Sequence, residues 1–282
     1  MDYCMFTMSN IYRPITAQPF MNNETYIEIQ PCEELKPYIC CFWGMPKPYT
    51  SIATSEIKHG LVIPDTCMDI IFEIDMNKNE LRDRFVGIND ISFRTESQSV
   101  SSTISCFGIR FYFWAVPLFS HESMNEVLNA SVETEAYFKN FRHDFQNILA
   151  DSPLIIDRIA KAEYYLLKKL NLNRQNNNVM NVIYKMLKSR GTANICELVE
   201  FTTVSQRQLQ RLFLEYVGIS PKKLSGLIRY QYLWQDILSY SNTNVQDAVC
   251  KYGYTDQSHL LKDFKKYHTM TPAEARTFAY KT

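Results

Sequence analysis

The sequence predicts an α+β chain of two domains: a β-rich N-terminal domain with flanking helices, then an all-α domain with two helix-turn-helix units joined by a long helix. Three observations predict it. Short strand-like runs fill residues 31–113, apolar residues recur at helical spacing after Trp114, and the last hundred or so residues repeat themselves at an offset of 51. With 282 residues, 46% of them hydrophobic and 13% aromatic, the chain can bury two cores and has little room for a long disordered tail.

Residues 1–30 are polar, carry Pro14 and Pro19, and read as an irregular N-terminal arm. The first domain follows over 31–172, β-rich to 113 and helical from 114. Its strands are expected at Tyr38–Trp43, His59–Ile63, Met68–Ile74, Leu81–Val86, Val100–Ile104 and Cys106–Phe113, with turns at Pro64-Asp65 and Asp75–Asn79. Such spacing suits a β-sandwich or barrel. Helical character is then expected over Pro117–Phe119, Asn125–Asn129, Glu133–Leu149 and Pro153–Leu170. The last has Ile155, Ile156, Ile159, Ala162, Tyr165, Leu166 and Leu170 on one stripe, either a dimerisation face or packing against the β-domain.

The polar stretch Asn171–Asn178 marks the boundary, so residues 173–282 form the second domain. Its helices are expected at Val179–Lys188, Ile195–Phe201, Ser205–Tyr216, Pro221–Tyr240, Val245–Tyr252, Asp256–Tyr267 and Pro272–Tyr280, three of them stopped by Gly191, Gly218 and Gly253. Ser205, Leu209, Phe213, Tyr216, Ile219, Ser220 and Pro221 recur as Asp256, Leu260, Phe264, Tyr267, Met270, Thr271 and Pro272. Each copy is a short helix, a turn, an N-capping Ser or Asp, a second helix with apolar residues at +4 and +8, and a Ser/Thr-Pro helix start. That is a helix-turn-helix stated twice.

If Leu209, Leu212 and Phe213 face the core, then Ser205, Gln206, Arg207, Gln208, Gln210 and Arg211 face out; in the second copy Leu260, Leu261 and Phe264 turn out Gln257, Ser258, His259, Lys262, Lys265 and Lys266. Gln and Arg suit bidentate pairing with adenine and guanine edges, and Lys and Ser suit phosphate oxygens. A merely solvated face would mix in acids, and Asp263 is the one acid inside either helix before its last turn. Charge agrees with a polyanionic partner. From Arg174 onward there are 15 Lys+Arg against 8 Asp+Glu, leaving 15 against 22 before it, a swing from −7 to +7 in a chain of zero net charge. The spacer Pro221–Tyr240 is roughly 30 Å of helix, close to the ~34 Å between major-groove faces on one side of B-DNA.

On these residues the C-terminal domain resembles the AraC/XylS family of bacterial regulators. The resemblance rests on Tyr252–Arg276, with Gly253, Tyr254, Asp256 and Ser258, the Phe264–Lys266 triplet, and Thr271, Pro272 and Arg276. Thr203 and Thr269 stand where the family usually has Gly, and Ala248-Val249 reverses its common Ile-Ala. Pro64–Ile74, Phe85–Asp90 and Gly108–Val116 are similar to a cupin-like regulatory domain fused to such modules, which implies that the first domain serves regulation or dimerisation. The resemblance implies a sequence-specific transcription regulator of double-stranded DNA, controlled by a small-molecule effector or partner, acting as a homodimer and touching RNA polymerase if it is an activator. A co-regulator working through protein contacts of its N-terminal domain is the alternative. Trp43 and Phe111 are the expected effector-pocket residues.

Enzyme classes find no support in the sequence. His59, His121, His143, His259 and His268 are not paired at ligand spacing, so neither a metal nor another cofactor is expected. There is no G-x-S-x-G and no Gly-rich phosphate loop. Helix-turn-helix modules also occur fused to alkylation-repair domains with zinc-bound Cys, but the eight cysteines here include no such cluster; Cys40 and Cys41, adjacent, read as packing or as a redox pair. No run approaches eighteen apolar residues and the start has no signal-peptide pattern, so a cytoplasmic protein without membrane contact is expected.

Overall fold

The computed structural model describes residues 3–15, 25–51, 57–78, 80–98, 102–239 and 245–280. Residues 16–24 of the expected arm, Asn79, Val100 and Tyr240 lie outside the described residues. So do the side chains of Cys4 and His59.

The N-terminal stretch read as irregular contains a helix, α1 (Tyr3–Ile11). Met5, Met8 and Tyr12 repeat at helical spacing and are buried, with α1 packed on α4 (Asn177–Lys188). Docking of that apolar stripe overrides the polar composition around it.

The strands are β1 (Ile27–Ile29), β2 (Ile39–Gly44), β3 (Tyr49–Ser51), β4 (Ile57–Val62), β5 (Cys67–Asp75), β6 (Glu80–Val86), β7 (Phe93–Gln98), β8 (Ser102–Tyr112) and β9 (Ser131–Val132). They form an antiparallel sheet in the order β1-β2-β8-β5-β6-β9, with β3 also on β8, and a separate β4-β7 pair. The two runs expected at Val100–Ile104 and Cys106–Phe113 are one strand, because Ser105 and Cys106 stay in register with Ile74 and Glu73. In β5 the even residues Met68, Ile70 and Phe72 enter the core while the odd Cys67, Asp69 and Ile71 face a cavity. Register carries this parity into β8, where Phe111 pairs Met68 and Arg110 pairs Asp69. The core side stacks Phe72 on Phe145 and sets Phe111 against Phe119 and Phe138.

Helix α2 (Phe141–Ala150) begins later than expected, and Asn125–Asn129 is a pair of turns. The turns let Met124 N–H donate to Glu215 O at 2.8 Å and Asn129 take positive φ. In α3 (Ile155–Lys169) the stripe Ile155, Ile159, Ala162 and Leu166 is buried inside the protomer. Packing within its own chain, one of the two alternatives, has claimed this stripe, except that Ile156, expected on it, is exposed and Tyr165 is half-buried, because both stand at the edge of the buried face.

Beyond it come α4, α5 (Ile195–Val199), α6 (Gln206–Tyr216), α7 (Pro221–Ser239), α8 (Val245–Lys251), α9 (Gln257–His268) and α10 (Pro272–Ala279). Helix α7 buries Leu224, Leu227, Ile228, Tyr230, Leu233 and Trp234, so neighbours surround it. The β-rich half is joined to this helical region by specific bonds. Gln231 Nε2 donates to Pro64 O at 2.5 Å, Ile15 N–H donates to Gln231 Oε1 at 2.9 Å, and Lys223 Nζ meets Asp90 Oδ2 at 2.7 Å.

Candidate nucleic-acid interface and ligand cavity

The 51-residue repeat recurs at atomic detail. Ser205 Oγ accepts from Gln208 N–H at 3.3 Å and, 51 residues on, Asp256 Oδ1 accepts from His259 N–H at 2.8 Å. Ser220 and Thr271 likewise cap the following helices, accepting from Lys223 and Glu274 N–H. These local bonds satisfy donors that a helix start leaves open, which fixes where each capped helix begins. Gly218 and Gly253 take the positive φ needed to end the preceding helices.

Leu209 and Phe213 are buried in α6, and Leu260 and Phe264 in α9. Ser205, Gln206, Arg207, Gln208, Gln210 and Arg211 are exposed, as are Gln257, Ser258, His259, Lys262, Lys265 and Lys266. All twelve stand on the outer surfaces of the capped helices and their N-caps. Asp263 does not share that surface. It turns in, accepting from Arg229 Nη2 on α7 at 3.1 Å and from Tyr254 OH at 3.0 Å. The acid that could have marked a solvated face is thus a strut between α9 and α7.

The two departures from the family pattern differ physically. Thr203 keeps ordinary φ, its N–H donating to Asn178 Oδ1 at 3.0 Å. Thr269 ends α9 at φ 61°, a left-handed conformation that a β-branched residue resists.

Residues 198–277 match a family described as a helix-turn-helix domain. The C-terminal region therefore carries a helix-turn-helix domain. Residues 27–133, most of the β-rich half, match a domain of unknown function. An uncharacterized HTH-type transcriptional regulator of Haemophilus influenzae is 29% identical over 83 residues, which are 29% of this chain and 28% of that protein's length. A transcriptional regulator with an AraC-type DNA-binding domain from Chromobacterium violaceum is 23% identical over 36% of this chain and 91% of its own, with a TM-score of 0.32. ToxT of Vibrio cholerae, solved with (E)-4-(8-methylnaphthalen-1-yl)but-3-enoic acid, is 14% identical over 83% of this chain and 99% of its own, with a TM-score of 0.41. No described helix is long and apolar enough to cross a membrane.

Away from the helix-turn-helix domain, a cavity of about 690 Å³ opens on the β5 face opposite the aromatic core. Trp43 lines it, as expected, and Gly108 makes room for the indole: a Cβ there would sit 2.1 Å from Trp43 Cε2. Phe111 does not line it. Strand parity sends Phe111 into the core and puts Arg110 in the cavity. Arg110 Nε donates to Asp69 Oδ1 at 3.0 Å, with Asp65 at 3.9 Å and Glu28 at 3.6 Å, while Trp43 Nε1 donates to the same Asp69 oxygen at 2.7 Å.

Burial works against the Arg110 charge, but Asp69 and Asp65 hold its pKa well above the usual value. Burial also pushes the Asp65 carboxyl up to about 6, with the charge of Asp69 adding to the effect. Sequence reading missed Asp65, Asp69 and Arg110. A signal was present, since Asp69 and Arg110 are charges inside otherwise apolar strand runs. Cys40, Cys41 and Cys67 are buried free thiols, Cys67 also lining the cavity.

Proposed function

We propose that the chain is a sequence-specific DNA-binding transcription regulator of the AraC/XylS type and not an enzyme. In this reading residues 173–282 bind double-stranded DNA and residues 31–172, a cupin-like unit, regulate that binding from the cytoplasm. The observation that carries it is the pair of equivalently capped helices, 51 residues apart, the first with an outer surface of Gln and Arg and the second with one of Gln, Ser, His and Lys, the acid Asp263 being turned in toward α7. Arg207 and Arg211 enter one major groove, and Gln257, His259 and Lys262 the next.

Ligand control reaches the reading heads through α7. Pro64 lies between the cavity residues Ile63 and Asp65, and Asp90 between Asn89 and Ile91. Each is bonded to α7, through Gln231 and Lys223. Burial opposes the Asp90 charge, but the bonds from Lys223 and Asn129 more than offset it and hold its carboxyl below the usual range. Filling the cavity therefore bears on the helix that spaces the two heads. A homodimer forms through the outer surface of α3, where Ile156, Tyr164 and Leu167 are exposed at helical spacing. Contact with RNA polymerase follows if the protein activates.

Sequencing the fragments that the full chain retains from a random DNA pool tests this reading. The expected result is two half-sites centred about ten base pairs apart. Absence of any enriched sequence would leave the co-regulator reading, in which the N-terminal half acts on a protein partner.

A further inference from the structure

The cavity floor has a charge imbalance that names the chemistry of its occupant. Asp65, Asp69 and Glu28 surround one guanidinium, that of Arg110, so the group carries two surplus negative charges when ionised. The other cation on the wall, Arg84, is committed to Glu73 at 2.9 Å. Among the described residues no further cation lines the cavity. Arg110 is itself nine-tenths buried and sits 5.7 Å over the Trp43 ring, and among the described residues its Nη1 has no hydrogen-bond partner, Glu28 Oε1 standing off at 3.6 Å. The floor thus lacks a positive charge for its carboxylates and an acceptor oxygen for its guanidinium.

The walls above the floor are apolar, with Val62, Ile63, Ile71, Val86, Ile91 and Phe93. Tyr26 and Trp43 lie 5.9 Å apart at its side, and aromatic faces attract cations. A volume of about 690 Å³ is that of a small-molecule site. We propose that this cavity binds an amphipathic organic amine, its ammonium against Asp65 and Asp69, a neutral oxygen beside the ammonium facing Arg110, and its apolar body along the wall. The proposal rests on reading the N-terminal half as ligand-controlled. A carboxylate ligand is disfavoured because it would bring a fourth negative group to a single guanidinium. A neutral polyol would leave the surplus charge uncompensated.

Calorimetric titration of the full chain with phenylalaninol, phenethylamine, phenylpropanol and phenylpropanoate tests it, since the four share an aromatic body and differ at the head. The two amines are expected to bind at least about tenfold tighter than the alcohol or the carboxylate, as an added ion pair in a shielded site allows. In D65N, where Asn can still accept the Cys67 N–H, amine affinity should fall by about tenfold, with the alcohol unchanged. Ile91→Trp, which narrows the wall and leaves the floor intact, should weaken all four and shows that binding is in this cavity. Equal or tighter binding of the carboxylate, or no binding by either amine, overturns the proposal. Specific DNA binding, measured on the same preparation without ligand, stands or falls separately.

Discussion

Burial favours the neutral imidazole at His268. It is 2% exposed, accepts or donates to Tyr230 OH at 2.8 Å, and stacks on Phe264. Burial lowers its pKa from 6.5 to about 4. The folded chain therefore resists a proton that the unfolded chain accepts, so its contribution is complete above pH 6.5 and is lost as pH falls toward 4. The loss amounts to about 3 kcal/mol at most. Asp65, with its raised pKa, acts in the opposite direction over part of that range. Urea midpoints at pH 7 and pH 4.5 should thus fall more steeply for the native chain than for His268→Gln; parallel falls would mean that the imidazole is protonated in the fold. One position on, Thr269→Gly should stabilise the chain by about 1 kcal/mol, because glycine adopts the positive φ of this helix end without a Cβ clash. An unchanged or lower melting temperature would show the threonine to be unstrained. Arg211→Ala should cost about 1–3 kcal/mol of DNA affinity, and only at one base position, if this side chain reads a base. A loss equal on all sequences would make it a phosphate contact.

Helix α3 shows how one amphipathic element can carry two faces. Ile155, Ile159, Ala162 and Leu166 are spent on the core of their own chain. Ile156, Tyr164 and Leu167, at i, i+8 and i+11, lie outside that buried set and are 57%, 65% and 41% exposed. Polar replacement of Ile159 or Leu166 would unfold the protomer, whereas Ile156→Asp with Tyr164→Lys touches the exposed face alone. The double variant is expected to sediment as a monomer with an unchanged melting curve, where the native chain sediments as a dimer. A native chain that is monomeric both free and on DNA would remove the dimer. Helix α7 has the contrary character, since neighbours bury it on several sides and its Tyr230, Trp234 and Leu233 are each 1% exposed. It is a stiff spacer of about 28 Å for its 19 residues.

That stiffness sets a prediction for the whole molecule. If both capped helices read DNA, as proposed, heads held at a nearly fixed separation cannot follow DNA whose half-sites have been moved. Inserting about five base pairs between the half-sites turns the second one to the opposite face, so affinity should drop sharply. About ten more base pairs restore the face but displace it by some 34 Å, beyond the reach of α7, and affinity should stay low. Binding constants and footprints on the three DNAs decide the matter. Undiminished affinity would mean that one unit alone reads sequence, and recovery at ten would mean a flexible spacer.

The sequence by itself determined the double helix-turn-helix, its caps and its outward residues, because a cap bonds a side chain to an N–H three residues away, as Ser205 does to Gln208 and Asp256 to His259. It also contained, unread, the Met5, Met8 and Tyr12 stripe of α1. What only the tertiary structure decided depends on partners far apart in the chain. Asp263 looked like a surface acid until Arg229 met it across 34 residues, and Phe111 looked like a pocket residue until pairing with β5 fixed which strand face was which. The imbalance around Arg110 arises where β1, β5 and β8 converge, and the bonds from Pro64 and Asp90 to α7 span 167 and 133 residues. Periodicity states which residues share a face of an element. Which neighbour that face meets is set by long-range packing, and in this chain the cavity and its link to α7 are built from such meetings.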